Sequence, residues 1–280
     1  MQRSRKYTFT PNPNNLIVLA VVIAVVFAFA GLRSCTRYDR RLRGAAYSHE
    51  AVLFPEYQVR PCAKPDGTPT ADYFEIYPPN AEDKVVYLTF DDGPSPNVTP
   101  QILDILKRYH IKATFFVIGK NAEARPELIA RAAREGHSVA IHTYSHDYDY
   151  MYGSPEGFLD EISKTGAVLT NILGEKGFVN IFRFPGGAFR EERAEFKQLL
   201  IEQNIPYVNW NSLTGDAETQ TPVSADLIAR AKRTAVKANS PAITILMHDA
   251  GAKQATADAL PGLIDHFLRE GYRFDSLRRY

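Results

Sequence analysis

Cysteine and charge of a single sign are both scarce in this 280-residue chain, and each shortage removes a class of explanation. The two cysteines, Cys35 and Cys62, are too few for a multi-cysteine metal centre or a disulfide framework. Both lie outside the strand and helix pattern described below, so neither reads as a metal ligand or nucleophile, and a Cys35–Cys62 disulfide stays open. The 33 Lys and Arg nearly cancel the 32 Asp and Glu, a formal net of +1. Even that balance is uneven: residues 1–43 hold eight basic residues and one acid, which leaves 25 basic and 31 acidic residues beyond, a net of −6. A nucleic-acid partner is therefore disfavoured. With 45% hydrophobic residues, the length suits one α/β catalytic domain with accessory segments.

The uncharged apolar run Leu16 to Leu32 is seventeen residues, the short end of what spans a bilayer. Preceded by Arg3, Arg5 and Lys6, it reads as a transmembrane anchor after a cytoplasmic segment 1–15. With Ala28-Phe29-Ala30 as a small-x-small site it reads instead as a signal peptide cleaved after Ala30. Both readings export the remainder, the first as a single-pass membrane protein with its catalytic domain outside, the second as a secreted one. Arg33, Arg37, Arg40, Arg41 and Arg43 follow the run, so the positive-inside rule does not fix the orientation. Lipidation at Cys35 fits poorly, because Arg33 stands two residues before it. Residues 33–84 form a stalk or linker; six prolines fall between 44 and 84, with no sustained period.

From Val85 the pattern becomes regular. Val-Val-Tyr-Leu-Thr-Phe-Asp-Asp-Gly, residues 85–93, is a β-branched and aromatic run that ends in two carboxylates and a glycine, as a buried parallel strand feeding a turn would. Adjacent carboxylates repel, which is best explained by a cation or cationic side chain between them; a turn in which Asp92 or Ser95 caps the next helix is the plainer alternative. Further strands are expected at 113–118, 138–141, 180–184, 206–209, 242–247 and 272–274, with helices near 98–109, 126–135, 155–173, 191–203, 225–237 and 255–270. Alternation of this kind predicts a parallel sheet, closed or nearly closed into a β/α barrel of about seven strands, or else an open doubly wound sheet.

The chemically unusual residues follow the C-terminal ends of predicted strands, where such folds place their sites: Asp91 and Asp92, then His142-Thr143-Tyr144-Ser145-His146, then Arg183-Phe184-Pro185-Gly186-Gly187, then Asn209-Trp210 with Asp216, then Leu246-Met247-His248-Asp249. Histidines four apart on a helical turn project to one side, and with a carboxylate they supply the N and O ligands that zinc takes while leaving a position for water. Tyr144, Tyr148, Tyr150 and Tyr152 form an aromatic loop beside them, either a sugar groove or ordinary packing.

Taken in order, these stretches over residues 85–280 closely resemble the five motifs of the polysaccharide deacetylases, carbohydrate esterase family 4, also called NodB-like domains. The resemblance implies a distorted (β/α) barrel and metal-dependent removal of acetyl groups from N-acetylated sugar polymers. By motif position it implies that Asp92, His142 and His146 hold a divalent metal, usually zinc, with cobalt or nickel as substitutes. It implies Asp91 as general base oriented by Arg183, and His248 as general acid paired with Asp216. The Gly186 N–H would be an oxyanion donor, and Trp210 and Leu246 would shape the acetyl pocket. Two departures are visible: Gly186 stands where tyrosine is common, and Asn209 where aspartate is common, which touches substrate preference more than catalysis. The expected substrate is N-acetylglucosamine in peptidoglycan. Chitin oligosaccharides, exopolysaccharide and acetylxylan are the alternatives, and a carbohydrate-binding protein with a vestigial metal site is the rival of another class.

Overall fold

The computed structural model describes residues 84–277 together with two short strands, β1 (Val59–Arg60) and β2 (Glu75–Ile76), which pair antiparallel. The expected anchor or leader at 16–32, the two cysteines and nearly all of the stalk lie outside the described residues. Among the described residues no helix is long and apolar enough to cross a membrane.

Strand β3 (Val85–Asp91) is the centre of a seven-stranded parallel sheet, and all seven of its residues are buried. Along one side it pairs with β8 (Ala242–His248) over its full length, from Val85 opposite Ala242 to Asp91 opposite His248. Along the other it pairs with β9 (Arg273–Asp275) through its first three residues and with β4 (Thr114–Ile118) through its last three. Strand β5 (Ser138–Thr143) and β6 (Val179–Phe182) extend the sheet past β4, and the two-residue β7 (Ser212–Leu213) extends it past β8.

The chain between those two edges nearly closes a barrel. Tyr207 bridges to Phe182, the Val208 N–H donates to the Phe182 carbonyl at 3.0 Å, and a few residues later the Asn211 and Thr214 N–H groups donate to carbonyls of β8. Residues 206–209 are thus an irregular closing segment, not the strand their apolar character predicts. The regular pairing appears instead at Ser212–Leu213, whose serine gave no β signal.

Helices cover the outside: α1 (Val98–Tyr109), α2 (Gly119–Ala124), α3 (Pro126–Arg134), α4 (Tyr148–Gly153), α5 (Pro155–Leu173), α6 (Ala194–Glu202), α7 (Ser224–Ala238) and α8 (Gln254–Arg269). Prolines sit in the first turns of α3 and α5, where a missing N–H costs nothing. The expected helix 191–203 begins as a 3-10 turn, Glu191–Arg193, before α6. Helices α2 and α4 were not anticipated, since six residues of Gly-Lys-Asn-Ala-Glu-Ala or of clustered tyrosines carry no helical period.

Strand alternation decides what faces the lumen. On β3, Val86, Leu88 and Phe90 join the core under the helices, whereas Val85 and Tyr87 pack inward with Phe116, Ala140, Ile181, Val208, Ala242 and Leu277. The same parity carries Thr89 and Asp91 inward, and with them His142 above Ala140 and Arg183 two residues past Ile181. The lumen is therefore apolar at its base and turns polar towards the C-terminal rim.

Candidate functional site

Arg183 is the floor of the site. Its side chain is fully buried, with its guanidinium carbon 4.1 Å from the Phe116 ring centre. It donates to Thr89 Oγ1 at 2.6 Å and to Asp91 Oδ1 at 3.0 Å, and towards the carbonyls of Val208 at 3.5 Å and Asn209 at 3.3 Å. One cation thus ties the central strand to the segment that closes the barrel, and it neutralises the buried Asp91 carboxylate. The cation expected between the two aspartates is in part this side chain.

Asp92 leaves the strand with φ of 74°, and its carbonyl accepts from Asn121 Nδ2 at 2.9 Å. The left-handed backbone turns its carboxylate out of the β3 line towards two imidazoles: Asp92 Oδ1 lies 3.4 Å from His142 Nε2 and 3.3 Å from His146 Nε2, yet this buried oxygen accepts no hydrogen bond. His146 also has a positive φ, 61°, so two of the three groups stand in backbone that costs on the order of 1–3 kcal/mol each. The histidine pair does not ride on a helical turn. His142 is the last residue but one of β5, and His146 sits in the loop before α4.

The fold replaces the helix with a carboxylate. Glu161, buried on α5, accepts from the Thr143 hydroxyl, from the Tyr144 and Ser145 N–H groups at 2.9 and 2.7 Å, and from Ser145 Oγ at 2.8 Å. Burial alone would raise its pKa, but these donors hold it below the ordinary value. Sequence reasoning missed Glu161, which reads as one charge among many on an amphipathic helix.

The donor set fits a divalent cation. His142 Nδ1 lies 2.8 Å from the Arg183 carbonyl, which can only accept, so in the neutral imidazole the proton sits on Nδ1 and the lone pair on Nε2. Burial lowers the pKa of His146, against the opposing charge of Asp92, and so favours the neutral ring that a ligand needs. Burial would raise the pKa of Asp92, yet the His142 contact and the charges of His142, His248 and His146 hold it far below the usual carboxylate range. The three ligand atoms lie within 4.8 Å of one another. Two nitrogens and one oxygen with further positions open match a zinc-type catalytic set.

Opposite, His248 ends β8 as the register partner of Asp91. Its Nδ1 lies 2.8 Å from Asp216 Oδ1, while Asp216 Oδ2 accepts from the His248 N–H at 2.8 Å and from Thr256 Oγ1 at 2.7 Å. Burial would lower the pKa of His248; the Asp216 contact, with the charges of Asp91 and Asp92, overrides it and pushes the value up to about 9. Asp216, in turn, is drawn down by its donors in spite of burial.

Asp249, named on the rim by sequence but given no role there, accepts from Thr99 Oγ1 at 2.6 Å and lies against Gly93, where a Cβ would stand 2.1 Å from its Oδ2. That glycine is required by the contact. Ser95 caps α1 through the Val98 and Thr99 N–H groups, so the plainer turn-and-cap reading holds for Ser95 while Asp92 faces the histidines.

Gly186 is exposed at φ of 74°, Leu246 is buried on β8 opposite Thr89, and Trp210 lies with its ring 5.8 Å from the Arg183 guanidinium. Asn209 Oδ1 accepts from the Ala188 N–H at 3.0 Å and so anchors the glycine loop to the closing segment.

A family model for polysaccharide deacetylases matches residues 79–203. A peptidoglycan-N-acetylglucosamine deacetylase of Bacillus cereus is 38% identical over 195 residues, covering 69% of this chain and 66% of that protein. A chitooligosaccharide deacetylase of Rhizobium leguminosarum is 30% identical over 209 residues, covering 70% of this chain and 92% of that protein. Among solved structures, a CE4 esterase of Streptococcus mutans superposes with a TM-score of 0.64 at 32% identity, covering 84% of this chain and 93% of that one.

Proposed function

The chain belongs to the polysaccharide deacetylase family, and from that premise we propose that it is a metal-dependent N-deacetylase acting outside the cell on N-acetylglucosamine residues of peptidoglycan, releasing acetate and a free amino sugar. The observation that carries this reading is the facing of two built pairs across one cluster: Asp91 held by Arg183 on β3, and His248 held by Asp216 on β8, in register beside Asp92, His142 and His146. Binding a sugar requires neither pair, which sets the vestigial-site rival aside. The peptidoglycan relative supports the choice of polymer, and the apolar run at 16–32, as anchor or leader, supports export.

Asp92, His142 and His146 would hold the metal, with zinc the best match to two imidazoles and a carboxylate. Bound there, it supplies Lewis acidity and lowers the pKa of a coordinated water from about 15.7 towards about 7. Asp91, kept in place by Arg183, takes the proton from the attacking water. The exposed Gly186 N–H donates to the oxygen on which negative charge grows. His248 carries a proton on the ring nitrogen not engaged with Asp216 and delivers it to the departing amine, which otherwise leaves poorly. Leu246 and Trp210 border the space for the acetyl methyl.

Acetate release by the full chain from N-acetylglucosamine oligomers, peptidoglycan and acetylxylan, compared in parallel, tests this. Release from peptidoglycan supports the reading. Release from oligomers but not peptidoglycan moves the substrate, release from acetylxylan alone makes the protein an esterase, and metal binding without release from any of the three restores the binding-protein rival.

A further inference from the structure

One buried acid at the site has no part in the proposed chemistry. Asp249 follows His248 directly at the end of β8 and is only 1% exposed. Its Oδ2 accepts from Thr99 Oγ1, but its Oδ1, also buried, accepts no hydrogen bond from another residue. Burial, with the charges of Asp92 and Asp91, outweighs the Thr99 contact and pushes its pKa up to about 7. An apolar side chain would fill this place at less cost, so the carboxylate is explained only by what it holds.

What it holds is the turn after β3. Asp92 stands in left-handed backbone, a conformation that persists only where its surroundings fix it. On the β4 side, Asn121 Nδ2 donates to the Asp92 carbonyl at 2.9 Å and the Ile118 N–H to the Gly93 carbonyl at 3.0 Å. On the β8 side the contacts come from Asp249 and the residues after it. The Asp249 N–H donates to the Asp91 carbonyl at 3.1 Å, and its carboxylate lies so close to Gly93 that a Cβ there would strike both oxygens. Thr99 Oγ1, bonded to Asp249 Oδ2 at 2.6 Å, accepts in turn from the Ser95 N–H at 2.7 Å. The Gly251 carbonyl accepts from Asn97 Nδ2 at 2.8 Å. Asp249 therefore grips the chain at Asp91, at Gly93 and, through Thr99, at Ser95, on both sides of Asp92.

We propose that Asp249 is a positioning residue: it clamps the turn on both sides of Asp92 to the strand that carries His248, so that the metal-holding carboxylate and the proton donor keep one spacing. It acts through backbone and through Thr99, touching neither metal nor substrate. The inference rests on the deacetylase reading for the roles of Asp92 and His248, and adds to it a residue that joins the two halves of the site.

The test measures zinc affinity by competition with a chelator, and kcat and KM for acetate release, in full-length wild type, Asp249→Asn, Asp249→Ala, Thr99→Val and the Asp249→Ala, Thr99→Val pair. The clamp predicts zinc affinity and kcat each about ten-fold lower in Asp249→Ala and in Thr99→Val, with KM within about two-fold. Asparagine keeps the size and an acceptor for Thr99, so Asp249→Asn should recover both to within about three-fold of wild type. Because the two side chains form one link, the double variant should lose no more than about two-fold beyond the weaker single one. Thr99→Val keeps the side chain's shape and breaks the link from its other end, so it decides the matter if Asp249→Ala does not fold. Wild-type zinc affinity and kcat in folded Asp249→Ala or Thr99→Val, with only the thermal midpoint lowered, would overturn the proposal and leave the contact a matter of stability. So would a loss in Asp249→Asn as large as that in Asp249→Ala, which would make charge, not position, the property that counts. Zinc affinity is read without turnover: if wild type binds zinc and releases no acetate, the deacetylase reading fails while the zinc affinities still decide the clamp. Wild type that binds no zinc would overturn both.

Discussion

Replacing Asp216 with asparagine removes the charge that sets the protonation of His248 while keeping the side chain's size. The native histidine is pushed from 6.5 to about 9, a preference for imidazolium on the order of 3 kcal/mol. Its side chain is only 15% exposed, so little of this is lost to solvent screening. Because the folded value is the higher one, the associated stability is fully present below pH 6.5 and is lost as pH rises through about 9. In Asp216→Asn, burial still opposes the charge and only the more distant Asp91 and Asp92 favour it, so the midpoint should fall by about two pH units or more. At pH 8 a group of pKa about 9 is roughly 90% protonated and one of about 6.5 roughly 3%, a loss of about thirty-fold in active acid before any loss of orientation. Imidazole-nitrogen NMR titration of the metal-free proteins reads both midpoints without the field of an added ion. A wild-type midpoint at or below 6.5, or the same midpoint in both proteins, would refute the reasoning.

Other perturbations reach different parts of the structure. Asp91→Asn leaves the fully buried Arg183 facing a neutral amide and should lower unfolding stability by about 3 kcal/mol in a urea titration, while the hydroxyl and carbonyl acceptors keep the barrel closed. Glu161→Gln turns an acceptor of four donors into a mixed amide; competition with a chelator should show metal affinity falling about 10–100-fold, with a lower thermal midpoint. Gly187→Ala combines a left-handed φ of 81° with a contact 2.9 Å from Trp210, so the thermal midpoint should fall by an amount equivalent to at least about 1–2 kcal/mol, and Trp210 fluorescence should shift.

What was legible in the sequence follows the strength of local patterning. Strand β3 was plain because seven buried residues in a row leave no polar alternation, and α1 and α5 appear over the residues their apolar spacing predicts. The rim residues could be named because the fold sends every strand's C-terminal end to one place. Residues 206–209 failed because an apolar run can close a barrel by a few hydrogen bonds without forming a ladder. The histidine spacing suggested a helix, but i and i+4 also meet when a strand end and a left-handed residue fold over a buried carboxylate. Glu161 left no local trace, since its partners lie on other elements, and Asp249, though named on the rim, gave no sign of its contact with Thr99 on α1. Helix α4 had one readable signal: Asp147, whose side chain accepts from the Asp149 and Tyr150 N–H groups, is an N-cap.

The central claim, that Asp92, His142 and His146 hold the metal while Asp91 acts as base, is tested most directly by measuring bound zinc and acetate release together in wild type, Asp91→Asn and His142→Ala, each stripped of metal and reloaded. The account predicts that Asp91→Asn retains wild-type zinc and releases no acetate, whereas His142→Ala loses both. Near-wild-type acetate release by Asp91→Asn, or full zinc retention by His142→Ala, would contradict it.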